Sequence, residues 1–159
     1  PPSQDVRGRN ARMKLIPIED IIYGQRLIIC EDSNVPGTQL KNLTIQKLWG
    51  AGAAQVHVRV ACPPLMFPCN YNLSTRGTHE LIARRAIKAL EGASPKPDTL
   101  RQYLDPETEK YRDMVEWMRR DLNCTSLDFL TLPEVVDAIG LPGDELCTCC
   151  WSGEDTGTV

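Results

Sequence analysis

One stretch, Arg26 to Gln39, most restricts what this chain can fold into. Leu27, Ile28 and Ile29 form an apolar run without alternation, the pattern of a strand covered on both faces. Glu31 and Asp32 follow at once and put two carboxylates where that strand ends. Ser33, Gly37 and Thr38 make a small polar turn, and from Gln39 the pattern is helical. In an open α/β sheet, ligands sit outside the carboxyl ends of the strands. A turn that feeds a helix offers free N–H groups to an anion, and the carboxylates can hold sugar hydroxyls or a divalent ion. The parts suit a sugar phosphate. They are equally the parts of a strand–turn–helix corner with no ligand.

The remaining pattern is that of an α/β chain. Thr38 to Gly52 predicts a helix, with Leu40, Leu43, Ile45, Leu48 and Trp49 as its apolar face and Gly50 and Gly52 ending it. Gln55 to Val60 alternates strictly, a strand with one buried valine face and with His57 pointing outward. Right-handed strand–helix–strand connection makes the two strands parallel. Two parallel strands and one helix cannot form a stable sheet alone, so further strands are expected from upstream or from a partner chain. The start at Pro1-Pro2, without Met and in mid-pattern, fits a cut chain.

Beyond the second strand, Ala61 to Tyr71 is an irregular proline-rich loop. Thr78 to Leu90 predicts a helix with Ile82, Ala86, Ala89 and Leu90 on one stripe, and His79 falls in its first turn. Glu91 to Leu104 is polar, carries Pro95 and Pro97, and predicts a linker or exposed loop. Asp105 as N-cap with Pro106 at N1 opens another helix, striped by Tyr111, Met114, Val115, Met118 and Leu122. Thr131 and Glu134 have the spacing of a capping box for a short helix that Gly140 closes.

Charge and cysteine usage narrow the class. The formal net charge is −3, which does not suggest a nucleic-acid partner. No apolar run approaches the about 20 residues of a membrane span, and no signal peptide is visible, so a cytoplasmic location is the default expectation. The cysteines number seven. An odd count with three crowded into Cys147 to Cys150 points to metal or cluster binding in a reducing compartment rather than a disulfide framework. In such a setting the Asn-x-Ser/Thr triplets at Asn42, Asn72 and Asn123 are chance matches.

The stretch Glu31-Asp-Ser-Asn-Val-Pro-Gly-Thr-Gln39 resembles the phosphoribosyl pyrophosphate (PRPP) loop of type I phosphoribosyltransferases. It is most similar to that of the amidophosphoribosyltransferases, Asp-Asp-Ser-Ile-Val-Arg-Gly-Thr-Thr. Other pieces resemble the same family in the same order: Pro2-Ser-Gln-Asp-Val-Arg7, Arg12-Met-Lys-Leu15, Ala51 to Arg59, Cys62-Pro-Pro, Glu80-Leu-Ile-Ala83, Ser126 to Leu130, and Cys147-Thr-Cys-Cys-Trp-Ser-Gly153. The resemblance implies that Glu31 and Asp32 face the ribose hydroxyls and Mg²⁺. It implies that Ser33, Asn34, Val35, Gly37 and Thr38 wrap the 5′-phosphate, and that Arg7 and Lys14 face pyrophosphate. Asn34 and Pro36 depart from it: proline has neither the cation nor the backbone N–H that an arginine supplies.

The same resemblance implies that Cys69, Cys147 and Cys150 are ligands of a [4Fe–4S] cluster, whose fourth ligand the family takes from a glutaminase domain. Cys149 matches no family ligand, and Cys30, Cys62 and Cys124 have no paired spacing. A thiol tail without a metal is the alternative reading of that ending.

The implied fold is α/β: an incomplete phosphoribosyltransferase, Rossmann-like parallel sheet with a mainly helical C-terminal region. Residues 1–90 would be the C-terminal part of the phosphoribosyltransferase domain, 91–105 a linker or insert, and 106–159 a helical region ending in the cysteine tail. The implied reaction makes 5-phosphoribosylamine from PRPP and glutamine, in a homo-oligomer whose N-terminal glutaminase domain is missing here. The stretch in hand starts with proline rather than a nucleophilic cysteine, so by itself it is expected to be inactive. A degenerate PRPP-binding relative and a metal-stapled structural module are the competing readings.

Overall fold

The computed structural model describes residues 16–33, 40–69, 71, 77–92 and 95–154. Within them a short helix, α1 (Glu19–Ile22), precedes strand β1 (Arg26–Glu31). A π-helical turn, Leu40–Ile45, runs into α2 (Gln46–Gly50), and β2 (Gln55–Val60) follows. A 3-10 turn at Thr78–Glu80 leads to α3 (Ile82–Glu91), then α4 (Pro97–Gln102) and the long α5 (Glu109–Leu122). Strand β3 (Ser126–Phe129), α6 (Leu132–Ile139) and the one-turn α7 (Cys149–Ser152) complete the order.

Among the described residues the sheet is three-stranded, in the order β1-β2-β3, and both pairings are parallel. Leu27 stands opposite Val56, Ile29 opposite Val58 and Glu31 opposite Val60. Parallel neighbours need a crossover, and the helical segment from Leu40 to Gly50 supplies it between β1 and β2. Alternation in β2 does what the sequence predicts. Val56, Val58 and Val60 are buried while Gln55, His57 and Arg59 are half-buried on the other side. The valines join one core with Ile45, Ile82, Ile87, Met114, Met118 and Leu122. Each such side chain removed from water contributes about 1.5–3 kcal/mol. Helix α5 is the keystone, since it packs on α3, on β3 and on the π-helical turn.

Four expectations need correcting. β1 is not covered on both faces by the described residues: Ile28 is 68% exposed, while Leu27 and Ile29 pack against the core. The strand is at the sheet edge, and no described layer lies over its second face. Second, there is a third strand. β3 has four residues, two of them polar, and among the described residues it pairs with β2 alone, so its pattern is too short to stand out.

Third, the polar stretch after α3 contains a helix, α4. It leads into Tyr103, which is 2% exposed and whose hydroxyl donates to Glu91 Oε1 at 2.7 Å. Tyr103, with Leu100 and Leu104, thus ties this segment to the core. Fourth, Asp105 is not the N-cap of the next helix. Its Oδ1 accepts from the Glu107 N–H at 3.0 Å, and Thr108 caps α5 by accepting from the Tyr111 N–H at 3.2 Å. An aspartate two residues before a backbone N–H closes an Asx turn as readily as it caps a helix.

Other expectations hold. The Thr131 and Glu134 side chains form a reciprocal capping box, and Gly140 ends α6 at φ +74°. His57 lies on the outer side of β2, with Nδ1 2.8 Å from Ser126 Oγ and Nε2 3.1 Å from Gln55 Oε1. Both ring nitrogens are thereby engaged in sheet contacts, in keeping with a structural role. Among the described residues, no helix is long and apolar enough to cross a membrane.

Candidate functional site

β1 ends on Glu31, and the carboxylate pair emerges at the carboxyl edge of the sheet. The Glu31 carbonyl accepts from the Ala61 N–H at 2.8 Å, which extends the β1–β2 ladder by one bond and holds the two strand ends level. Asp32 Oδ1 accepts from the Ser33 N–H at 2.7 Å, so the acidic side chain begins the turn after the strand. Glu31 is half-buried, and its pKa is raised above 4.5, first by burial and then by the negative charge of Asp32. Among the described residues neither carboxylate has an ion-pair partner. Two adjacent carboxylates, one of them destabilised as an anion, form a site whose electrostatics a cation would relieve. Asn34, Val35, Gly37, Thr38, Arg7 and Lys14 lie outside the described residues.

A second cluster gathers at the loop after β2. The N–H groups of Met66 and Phe67 both donate to the Cys150 carbonyl, at 2.9 and 3.0 Å. Gly153 ends α7 at φ +76° with its Cα against the Phe67 ring; a Cβ there would lie 2.7 Å from Phe67 Cζ. The cysteine ending is therefore folded onto the Cys62–Cys69 loop. The Cys150 thiol is pushed up to about 12, by burial first, then by the neighbouring Cys69 thiol and by the charges of Cys149 and Cys147. Cys69, Cys147 and Cys149 are near enough to Cys150 for their charges to act on its thiol. Among the described residues, no group of three or more His, Cys, Asp or Glu side chains already stands at metal-holding spacing. As a donor set the thiols are soft and suit zinc or iron–sulfur chemistry.

Cys62 connects the two corners. It is buried, and its thiol is raised to about 11, mainly by burial. The Trp151 indole N–H opposes that rise and the Asp32 charge adds to it. Trp151 Nε1 is itself buried without an acceptor at full hydrogen-bonding geometry; the Cys62 sulfur is a weak one. Sequence reading treated Cys62 as an isolated loop cysteine and gave Trp151 no role. The contact that links them is purely tertiary. Of the other cysteines, Cys30 is exposed and Cys124 is buried, its thiol raised to about 11 chiefly by burial.

Beside the cysteine corner, an apolar cavity of about 380 Å³ opens between Pro63, Met66, Tyr103, Tyr111, Leu132 and Trp151.

Comparison with known proteins places this architecture. No protein-family model matches the chain. The amidophosphoribosyltransferase of Mycobacterium tuberculosis is 32% identical over 153 residues, 96% of this chain and 25% of that protein. That of Synechocystis is 39% identical over 106 residues, 67% of this chain and 21% of that protein. Among solved structures, the glutamine PRPP amidotransferase from B. subtilis complexed with ADP and GMP superposes with a TM-score of 0.64 at 28% identity. The match covers 97% of this chain and 29% of that one. The chain thus spans about a quarter of the length of the curated relatives it matches. Sequence similarity across nearly all of its length, with the same parallel α/β fold, makes it a member of the amidophosphoribosyltransferase family, matching a C-terminal part of those proteins.

Proposed function

We propose that this chain is the PRPP-loop and cysteine-bearing part of an enzyme that makes 5-phosphoribosylamine from PRPP and glutamine, the first step of de novo purine biosynthesis. The observation that carries the reading is the position of Glu31 and Asp32, at the carboxyl end of a parallel strand in a chain of this family. Ligands of such sheets bind there. In this reading the two carboxylates orient the ribose hydroxyls. Ser33, together with Asn34, Val35, Gly37 and Thr38, presents N–H groups to the 5′-phosphate, and Arg7 and Lys14 face the pyrophosphate. Fixing the sugar in this way lowers the entropy cost of attack by ammonia at C1.

Mg²⁺ fits the acidic pair, because hard oxygen donors lacking a cation partner are what it takes; when bound it supplies positive charge to the departing pyrophosphate. An iron–sulfur cluster fits the soft donor set of Cys69, Cys147 and Cys150, with one further ligand needed. Both substrates, the glutaminase domain, homo-oligomeric assembly and a cytoplasmic location belong to the same proposal.

The test is an assay of the full-length protein with PRPP, Mg²⁺ and glutamine. Glutamate and pyrophosphate are expected in equal amounts, each dependent on both substrates. Absence of PRPP-dependent pyrophosphate release from folded protein would overturn the reading. Iron and sulfide analysis after anaerobic purification tests the cluster separately, and zinc in their place would favour a structural metal.

A further inference from the structure

The helical segment that follows residues 33–39 starts wound as a π-helix, Leu40–Ile45, before it tightens into α2. Such stretches are rare and gather at functional sites. Here the winding has a visible consequence. Leu40 and Ile45 are both buried, yet residues five apart stand about 140° from each other around an α-helix. A π turn bonds i to i+5 and so brings the two onto one face. Lys41, next to Leu40, meets α5: its Nζ lies 3.2 Å from Asp121 Oδ1. Asp121 Oδ2 lies 3.4 Å from Arg85 Nη2 of α3. One partly buried carboxylate thus fastens the π-helical turn to both α5 and α3. Farther along the same segment, the Trp49 indole N–H donates to the Asn123 carbonyl at 2.8 Å, just past the end of α5. Asp121 lies in the last turn of α5, where the helix dipole disfavours an anion. The two cations offset that cost. Without the carboxylate, Lys41 and Arg85 would face each other as like charges.

We propose that Asp121 is a positioning residue for PRPP: through Lys41 and Arg85 it keeps Leu40–Ile45 wound as a π turn, and so fixes where the chain leaves the 5′-phosphate turn. The inference rests on the reading of residues 33–39 as that turn, and adds a residue far along the chain that acts on it without touching the ligand. Rewinding the segment as an α-helix with Ile45 kept in the core would swing Leu40 and Lys41 around the axis. The turn that precedes them would move with them.

The experiment uses the full-length protein, with steady-state kinetics, calorimetric titration with PRPP and Mg²⁺, and amide hydrogen exchange over Leu40–Ile45. Asp121→Asn keeps the shape of the side chain and removes its charge. It is expected to raise the KM for PRPP about fivefold, the scale of a partly exposed ion-pair network. The kcat should stay within about twofold, since the phosphate is held alike in ground and transition states. Exchange over Leu40–Ile45 should quicken. Lys41→Arg keeps the pair and should behave as wild type. Lys41→Gln should match Asp121→Asn, and the double variant should be no worse than either, as for groups that act as one unit. A fall in kcat with unchanged KM is the mark of lost folded protein and would overturn the proposal. So would a raised KM in Lys41→Gln but not in Asp121→Asn, because Lys41 would then hold the phosphate itself. Wild type that binds no PRPP would overturn the PRPP reading and this inference together. Wild type that binds PRPP, with KM and exchange unchanged in Asp121→Asn, would overturn this inference alone.

Discussion

The Ala61 N–H donates to the Glu31 carbonyl at 2.8 Å, one bond beyond the last paired residues of β1 and β2. That bond brings the acidic corner and the start of the cysteine loop to one level of the sheet. Cys62, next in the chain, then lies between the charge of Asp32 and the indole of Trp151, which directly follows Cys150.

Asp32→Ala in the full-length protein is expected to abolish Mg²⁺-dependent PRPP binding in a calorimetric titration. Asp32 is exposed and, among the described residues, its carboxylate accepts a hydrogen bond from the adjacent Ser33 N–H and makes no ion pair, so unfolding stability should stay within about 0.5 kcal/mol of wild type. Unchanged affinity would remove the carboxylate from the binding site.

Pro36 lies outside the described residues, and its prediction comes from chemistry alone. A backbone N–H aimed at a phosphate is worth roughly 1.5–3 kcal/mol, and proline has none to give. Pro36→Arg restores that donor and adds a cation. PRPP binding should tighten about tenfold for each ~1.4 kcal/mol recovered. Equal or weaker binding would show that this turn holds its ligand by other groups.

Met118 is fully buried on α5, the helix that packs on α3 and β3. Met118→Ala leaves a cavity where three elements meet, and is expected to cost about 2–5 kcal/mol. Urea unfolding of the full-length protein followed by a probe in this region would measure it. A loss below about 1 kcal/mol would mean that the core collapses to fill the space.

Glu116 accepts from Arg119 Nε and Nη2 at 2.6 and 2.8 Å and from Arg120 Nε at 2.7 Å. The Arg119 hydrogen bonds lead in holding its carboxyl down to about 2, against 4.5 for an unperturbed group. A depressed folded-state pKa gives stability that is present above the unfolded value and lost as pH falls toward the folded one. The stability difference between wild type and Glu116→Gln should therefore be constant above pH about 5 and shrink between about 4.5 and 2. Denaturant midpoints across that range check it. The side chains are partly exposed, so the difference should also fall with added salt.

Much of this protein was legible in its sequence because the signals were local. Strict alternation marked β2. The Thr131–Glu134 spacing marked the capping box, and the acidic pair after an apolar run marked the end of β1. The resemblance to amidophosphoribosyltransferases rested on such short, ordered motifs, and the comparisons bear it out. What the sequence could not show depends on residues far apart in the chain. The pairing of β3 with β2 comes from ladder bonds between residues about seventy positions apart, and four residues carry too little pattern to announce it. Tyr103 is core because Glu91 of α3 accepts its hydroxyl and Lys110 of α5 lies over its ring, although Arg101, Gln102 and Asp105 around it are polar. Cys149 and Cys62 looked incidental because their neighbours are set by two backbone hydrogen bonds to Cys150 and by the level ending of two strands. Side-chain periodicity is written in the sequence; which distant segments share a corner is decided only when the tertiary structure closes.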